Sequence, residues 1–435
     1  MSKNVNINVH YITRVEGHGN IVVRASDGKI EQVRWEVPEA PRFFEAMVRG
    51  HSYEDIQTIV TRICGICSIS HSFSAIKAVE DAMDIEVSEQ TDMVRHLLHY
   101  AEQLQSHILH IGYLAAPDFF GVKSALALAG EAMEVVKKII AVHRLANEWS
   151  DLVGGRTTHP VTIIPGGFIR LPSAGQLKDL RAKIKKGQGD LQAAAEAILG
   201  IMDNIPKFGR DTEYVSLKQT DPPMYTFYNG QITSTDIEGQ TVPIHNWHDV
   251  ANEYVVEQST AKWAKWHRDS FMAGALARFN NNYELLTDSA KSLAKSFGLE
   301  KGCCNPFMNT IAQVVECAHI LEAAGELINE LLSRGIADEK VKVKAKAGRG
   351  VGITEAPRGM LIHEYEFDND GICVAADMCI PTNCNHANIQ LDMEKFVPEI
   401  IDEGEDAVRQ KLEMLVRAYD PCISCSAHML SVRFV

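Results

Sequence analysis

No apolar run in these 435 residues reaches the roughly 18 that a membrane-spanning helix requires. The first residues, MSKNVNINVHYITRVEGHG, lack a basic start followed by an apolar core, so no secretory signal is expected. Basic clusters are missing too. Lys and Arg number 43 against 57 Asp and Glu, and the net charge of −14 has the wrong sign for a phosphate backbone. There is no internal repeat, low-complexity tract or Pro/Ser-rich linker. That absence favours one large, mostly helical unit over the about three domains that the length alone suggests. Together these gaps exclude a membrane span and a nucleic-acid partner, and they predict a cytoplasmic chain. The 46% hydrophobic content is ordinary for a globular protein.

What the sequence does have is cysteine. There are ten, and in a chain of this kind they read as thiols or metal ligands rather than a disulfide framework. Two pairs have Cys-x-x-Cys spacing: Cys64 and Cys67, followed by His71, and Cys422 and Cys425, followed by His428. Such spacing lets two sulfurs reach one metal from a single turn. Zinc ribbons separate their pairs by about 15–20 residues, whereas here 422 − 67 = 355, so one metal would join the two ends of the fold. Thioredoxin-like chemistry is disfavoured because neither pair sits in a βαβ context. Nickel, iron, zinc and copper(I) all suit soft thiolates, and the spacing does not choose among them.

Residues 4–37 alternate as strands do, around an Asp27-Gly28 turn signal. Helical periodicity dominates from about 54 to 334, with Ser88 as the N-cap of a helix running to about Leu114. Further helices are expected over 123–149, 174–203, 283–297 and 306–334. Residues 213–245 read as an insertion holding a small sheet. Strand patterns return over 340–383, and a last helix over about 391–418 leads into DPCISCSAH within a C-terminal segment 391–428. The fold class expected is α+β and predominantly helical: a long helix bundle with small peripheral sheets.

Four motifs in order, RVEGH, RICGICSISH, GITEAPRG and DPCISCSAH, together with PRFFEA at 41–46, resemble the large, catalytic subunit of the [NiFe] hydrogenases, in their cytoplasmic, multi-subunit branch. The resemblance runs from residue 14 to 428. It implies reversible cleavage of H2 to protons and electrons. Cys64 and Cys422 match the terminal nickel thiolates. Cys67 and Cys425 match the thiolates bridging nickel to an iron that also holds carbonyl and cyanide. Arg358 matches the guanidinium above the metal pair, with Asp118 and Asp420 as carboxylates beside it. Pro357 and Thr382 match positions lining the diatomic ligands, and His71 falls in the same cofactor-binding group. Glu16 matches the carboxylate that relays protons from a terminal cysteine. Glu45, the Met378 carbonyl and His428 match an outer magnesium (or iron) site.

The resemblance also implies an iron–sulfur small subunit as electron partner, since this chain shows no cluster of its own, with further flavin and iron–sulfur subunits beyond it. A maturation endopeptidase is implied as well. The family's extension is cut after the histidine matching His428, and here Met429 to Val435 follow it. The regulatory H2 sensors and the complex I subunit that share this ancestry are the alternatives, and the latter lacks the four thiolates. A zinc-stabilised helical protein is the plain alternative.

Some residues read differently when taken alone. Glu16 beside a glycine looks like a surface-turn residue, Glu45 like a helix carboxylate and Arg358 like a loop arginine; the motif order reverses all three. Four thiolates in a dry pocket need compensating cations, and Arg62 and Arg358 are the candidates. His96, His99, His107 and His110 fall on one helix face at about 100° per residue and read as packed, hydrogen-bonded core histidines. The other six cysteines read as buried structural thiols.

Overall fold

The computed structural model describes residues 5–26, 29–339 and 341–428. Four long helices form a ring in which each packs on two others: Glu89–Leu109, Met133–Gly154, Ala174–Leu199 and Asn309–Arg334. Ser88 caps the first by accepting the Thr91 N–H at 3.0 Å. Ser173 and Gln176 form a reciprocal capping box on the third. The first helix continues as a π-helical turn, His110–Ala115, which delivers Pro117 into the first turn of the next short helix without a clash.

Among the described residues the chain also forms three sheets of three or four strands, beside two of two strands each. Val5–Val9, Asn20–Ser26 and Lys29–Glu36 form an antiparallel meander in which Ser26 pairs with Lys29. The Asp27-Gly28 turn signal between them lies outside the described residues, as does the segment Met429 to Val435. Glu213–Thr220 and Gln231–Ser234 pair within the expected insertion, and that sheet recruits Phe271–Met272 from outside it. The third sheet, Gly348–Ala356, Gly359–Phe367 and Cys373–Cys379, carries the EAPRG motif on its first turn.

The third sheet sits directly on the helix Ser68–Met83, which begins at Cys67. Its first strand alternates Gly348, Gly350 and Gly352. A Cβ on these residues would stand 2.1, 2.1 and 2.0 Å from the backbone carbonyls of Ala82, Ala78 and Ser74. Only glycine permits strand and helix backbones to touch in this way. The contact fixes the Ala356–Gly359 turn over the N-terminus of the helix, where the first cysteine pair lies.

Two boundaries differ from the sequence reading. The helix expected over 391–418 is two helices, Pro381–Ile400 and Glu405–Ala418, broken where Gly404 takes φ 98°. The first begins ten residues early because Pro381 is preorganised for the first helical position, and it takes residues 381–383 from the expected strand segment 340–383. The stretch 123–149 is likewise two helices, Ala125–Glu131 and Met133–Gly154.

Candidate metal centre

Cys64 ends a short 3₁₀ turn and Cys67 precedes the helix Ser68–Met83, so the first pair straddles a helix N-terminus. The N–H groups of Ile66 and Cys67 donate to Cys64 Sγ at 3.3 and 3.1 Å. In the second pair, Cys422 precedes the single turn Ile423–Ser426 and Cys425 lies within it. All four sulfurs lie within 4.8 Å of one another and all four residues are buried, with Cys64 Sγ 3.7 Å from Cys422 Sγ. Twice a metal–thiolate bond of about 2.3 Å spans about 4.6 Å, so the tetrad has the dimensions of a metal site.

Its electrostatics ask for a cation. Burial opposes charge on Cys64, but hydrogen bonds from Cys422, Cys425 and Cys67 outweigh it and hold that thiol well below its ordinary pKa. Hydrogen bonding with Cys422 pushes Cys67 well above, hydrogen bonding with Cys425 does the same to Cys422, and burial to Cys425. Four sulfurs this close therefore become thiolates together only when a metal balances them.

Two buried, unpartnered nitrogens point the same way. Arg358 donates through Nη2 to Asp420 Oδ1 at 2.8 Å and through Nε to the Asp420 carbonyl, while Nη1 is buried without a partner among the described residues. Burial works against its charge, but Asp420 and then the sulfurs of Cys422, Cys67 and Cys64 hold its pKa above the ordinary arginine value. His71 Nε2 is similarly buried and unpartnered. The turn carrying Arg358 is held from behind by Arg278, which donates to the carbonyls of Ala356 and Pro357, both at 3.1 Å.

The remaining expected residues gather around the second cysteine pair. The Cys422 N–H donates to Thr382 Oγ1 at 3.0 Å, which leaves the Thr382 hydroxyl proton free to be donated. The Glu16 carbonyl accepts from Ile423 N–H at 3.0 Å and its carboxylate from Ser424 N–H at 3.1 Å. Gly17 makes this docking possible, since a Cβ there would meet Ile423 Cβ and Ser424 N at 2.7 Å. On the far side, the Met378 N–H donates to Glu45 Oε1 at 3.0 Å. His428 Nε2 lies 2.8 Å from the Met378 carbonyl and 3.3 Å from Glu45 Oε1. Neighbouring ligands of an octahedral ion with bonds of about 2.1 Å stand about 3.0 Å apart, so these three groups fit one small hard cation. Burial opposes charge on His428, but Glu45 outweighs it and raises the imidazole pKa.

Three expectations need correction. Arg62 is exposed and brings no charge into the pocket. Asp118 pairs with Arg14 and Arg417, accepting from Arg417 Nε at 2.7 Å and Nη2 at 3.0 Å, and not with Arg358. Its carboxylate ties the RVEGH loop to the helix Glu405–Ala418 instead. The four histidines behave as packed groups: His107 bonds Glu316 at 2.7 Å and His110 bonds Gln313 and the Arg417 carbonyl. Cys303 and Cys304 are half-buried rather than buried.

Sequence reasoning missed Glu102. This buried carboxylate caps the cysteine-bearing helix by accepting from the N–H groups of Ile69 and Ser70 at 2.6 and 2.9 Å. Burial pushes its pKa up to about 8 even so. It also missed Arg278, whose hydrogen-bond partners come from two separate segments, Glu316 and 355–357, and the row His71, His363 and Tyr365.

Comparisons agree with this site. A family model described as nickel-dependent hydrogenase matches residues 42–153 and 211–428, and one described as HoxL-like matches residues 6–40. The chain is 31% identical to sulfhydrogenase 1 subunit alpha of Pyrococcus furiosus, covering 98% of each. It is 26% identical to the NAD-reducing hydrogenase HoxS subunit beta of Cupriavidus necator, covering 96% of this chain and 94% of that one. A crystal structure of an NAD+-reducing [NiFe]-hydrogenase in the H2-reduced state superposes with a TM-score of 0.87 at 25% identity, covering 97% of this chain and 99% of that one.

Proposed function

The chain belongs to the nickel-dependent hydrogenase family, as a large, catalytic subunit of an enzyme acting on H2, and on that premise we propose how its residues divide the work. Cys64 and Cys422 would hold nickel, and Cys67 and Cys425 would hold nickel together with an iron that carries carbonyl and cyanide. The observation that carries this reading is the buried tetrad drawn from opposite ends of the chain, with two unpartnered nitrogens beside it. When bound, the metal pair supplies the Lewis acid that polarises H2.

The chain's own residues manage the proton and the charge. Cys422 is the base, held at the edge of the tetrad by its N–H bond to Thr382. Glu16 takes the proton next, since its main chain pairs with Cys422 and its carboxylate is anchored on Ser424 N–H. Arg358 is kept planar and charged by Asp420 and directs Nη1 toward the dense negative charge of the sulfurs. Pro357 and the Thr382 hydroxyl would line the diatomic ligands of the iron. Glu45, the Met378 carbonyl and His428 hold magnesium or iron, joining the turn at Phe44–Met47 to the last described residue. Electrons leave through an iron–sulfur partner subunit and pass by way of further flavin or iron–sulfur subunits to a soluble acceptor. Cleavage of Met429 to Val435 by a maturation endopeptidase belongs to the same proposal.

The experiment is an infrared spectrum of the purified complex in the triple-bond stretching window, where no protein group absorbs strongly, with nickel and iron quantified on the same sample. One carbonyl and two cyanide bands with stoichiometric nickel are expected. A spectrum without bands from a sample holding zinc would overturn the reading.

A further inference from the structure

One line of buried polar groups leads away from the sulfurs and has no part in the scheme above. His71 lies one helical turn after Cys67, its N–H bonded to the Cys67 carbonyl at 3.1 Å. Its Nδ1 is 3.0 Å from Nε2 of His363, and Nδ1 of His363 is 2.6 Å from the Tyr365 hydroxyl. All three side chains are 0% exposed. Burial keeps the His363 imidazole neutral and holds the Tyr365 proton on, and two ring nitrogens 3.0 Å apart leave room for only one proton between them. Each neutral ring carries one proton, so the row can run in either of two directions.

In one direction Tyr365 donates to His363 Nδ1, His363 Nε2–H donates to His71 Nδ1, and His71 presents an Nε2–H. In the other, His363 Nδ1–H donates to the tyrosine oxygen and His71 presents a lone pair. The second arrangement fails at both ends. The tyrosine proton is left in the interior with no acceptor, because His363 is the only hydrogen-bond partner of that hydroxyl among the described residues. At the other end, a lone pair is left buried and without a partner among the described residues, one helical turn after Cys67. The first arrangement satisfies the tyrosine and makes the unpartnered Nε2 a donor.

We propose that Tyr365 is a positioning residue for the metal centre: through His363 it locks His71 in the tautomer whose Nε2–H faces the thiolates. The proposal rests on reading the tetrad as the nickel–iron site. A hydrogen bond to sulfur withdraws charge from it, so losing that bond makes the thiolates richer donors and the iron more strongly back-bonding toward its carbonyl.

Three samples of the assembled enzyme test this, each with nickel and iron quantified: wild type, Tyr365→Phe and Thr354→Val. Thr354→Val removes the 2.8 Å hydroxyl contact between Ser74 and Thr354, which joins the same helix and sheet outside the row. With metal content unchanged, the carbonyl and cyanide bands of Tyr365→Phe are expected to move to lower wavenumber, while those of Thr354→Val stay in place. Unmoved bands in a fully loaded Tyr365→Phe enzyme overturn the proposal. If that variant does not assemble, a neutron map of the wild type decides: deuterons on Nε2 of both His71 and His363 support it, and a deuteron on Nδ1 of His71 overturns it. A wild type with no carbonyl or cyanide bands would instead remove the nickel–iron reading itself.

Discussion

Two arginines hold the Ala356–Gly359 turn, and they use their protons differently. Arg278 is fully buried and places all five. Nε and Nη2 donate to Glu316 at 2.7 Å, Nη1 donates to Glu355 at 2.9 Å, and the carbonyls of Ala356 and Pro357 take the other two. Arg358, equally deep, places Nε and one Nη2 proton on Asp420 and leaves Nη1 without a partner among the described residues. Burial alone therefore does not distinguish a structural arginine from a functional one. Between these two, the difference is the unfilled Nη1 of Arg358 together with the sulfurs of Cys422, Cys67 and Cys64 that act on it, which Arg278 lacks.

That comparison can be broken experimentally. The largest effect should come from the tetrad both arginines frame. Cys425→Ser is expected to lose nickel and iron to background, and H2-dependent dye reduction with them, as metal analysis of the purified complex would reveal. Next is Arg358→Lys, which keeps the charge but loses the fork. Turnover should fall by about 10²–10³-fold with metal content unchanged; loss of metal would erase the distinction between the two arginines.

Arg278→Met should do the reverse. It strands Glu316 and Glu355 without their cation, so the urea midpoint should drop by the equivalent of about 3–5 kcal/mol, while turnover per bound nickel changes little. The smallest effect concerns pH. Burial pushes His319 down to about 4 and His386 to about 3. The Trp35 indole N–H donates to His386 Nδ1 at 2.9 Å, which fixes that ring as neutral. A pKa lowered from 6.5 gives stability that is complete above 6.5 and is lost as pH falls through the folded value. Denaturation midpoints should thus be flat above pH 6.5 and decline toward pH 4, by at most about 1.4 kcal/mol per pH unit per ring. A His386→Asn variant with an unaltered slope would show that this ring is not responsible.

Much of this was legible in the sequence, for a physical reason in each case. Cys-x-x-Cys is a local geometry, so each pair announces itself even when its partner pair is 355 residues away. Ser88 and its helix are visible because capping and periodicity are also local. What stayed hidden depends on the tertiary fold. Choosing among Arg14, Arg417 and Arg358 as the partner of Asp118 requires knowing how the RVEGH loop docks. Arg62 and Arg358 look alike as residues near motifs, and only burial separates them. The break at Gly404 was concealed by apolar periodicity continuing on both sides. The alternating Gly348, Gly350 and Gly352 did carry a signal, a strand too bare to pack except against another backbone, which points to the element it touches without identifying it.

The placement of the two cysteine pairs also has a consequence in time. At about 5–20 residues per second, a ribosome reaches Cys422 about 20–70 s after Cys67, the 355-residue interval between them. For all of that interval the first pair exists with no second pair to meet, and four sulfurs cannot share one ion until Cys425 has been made.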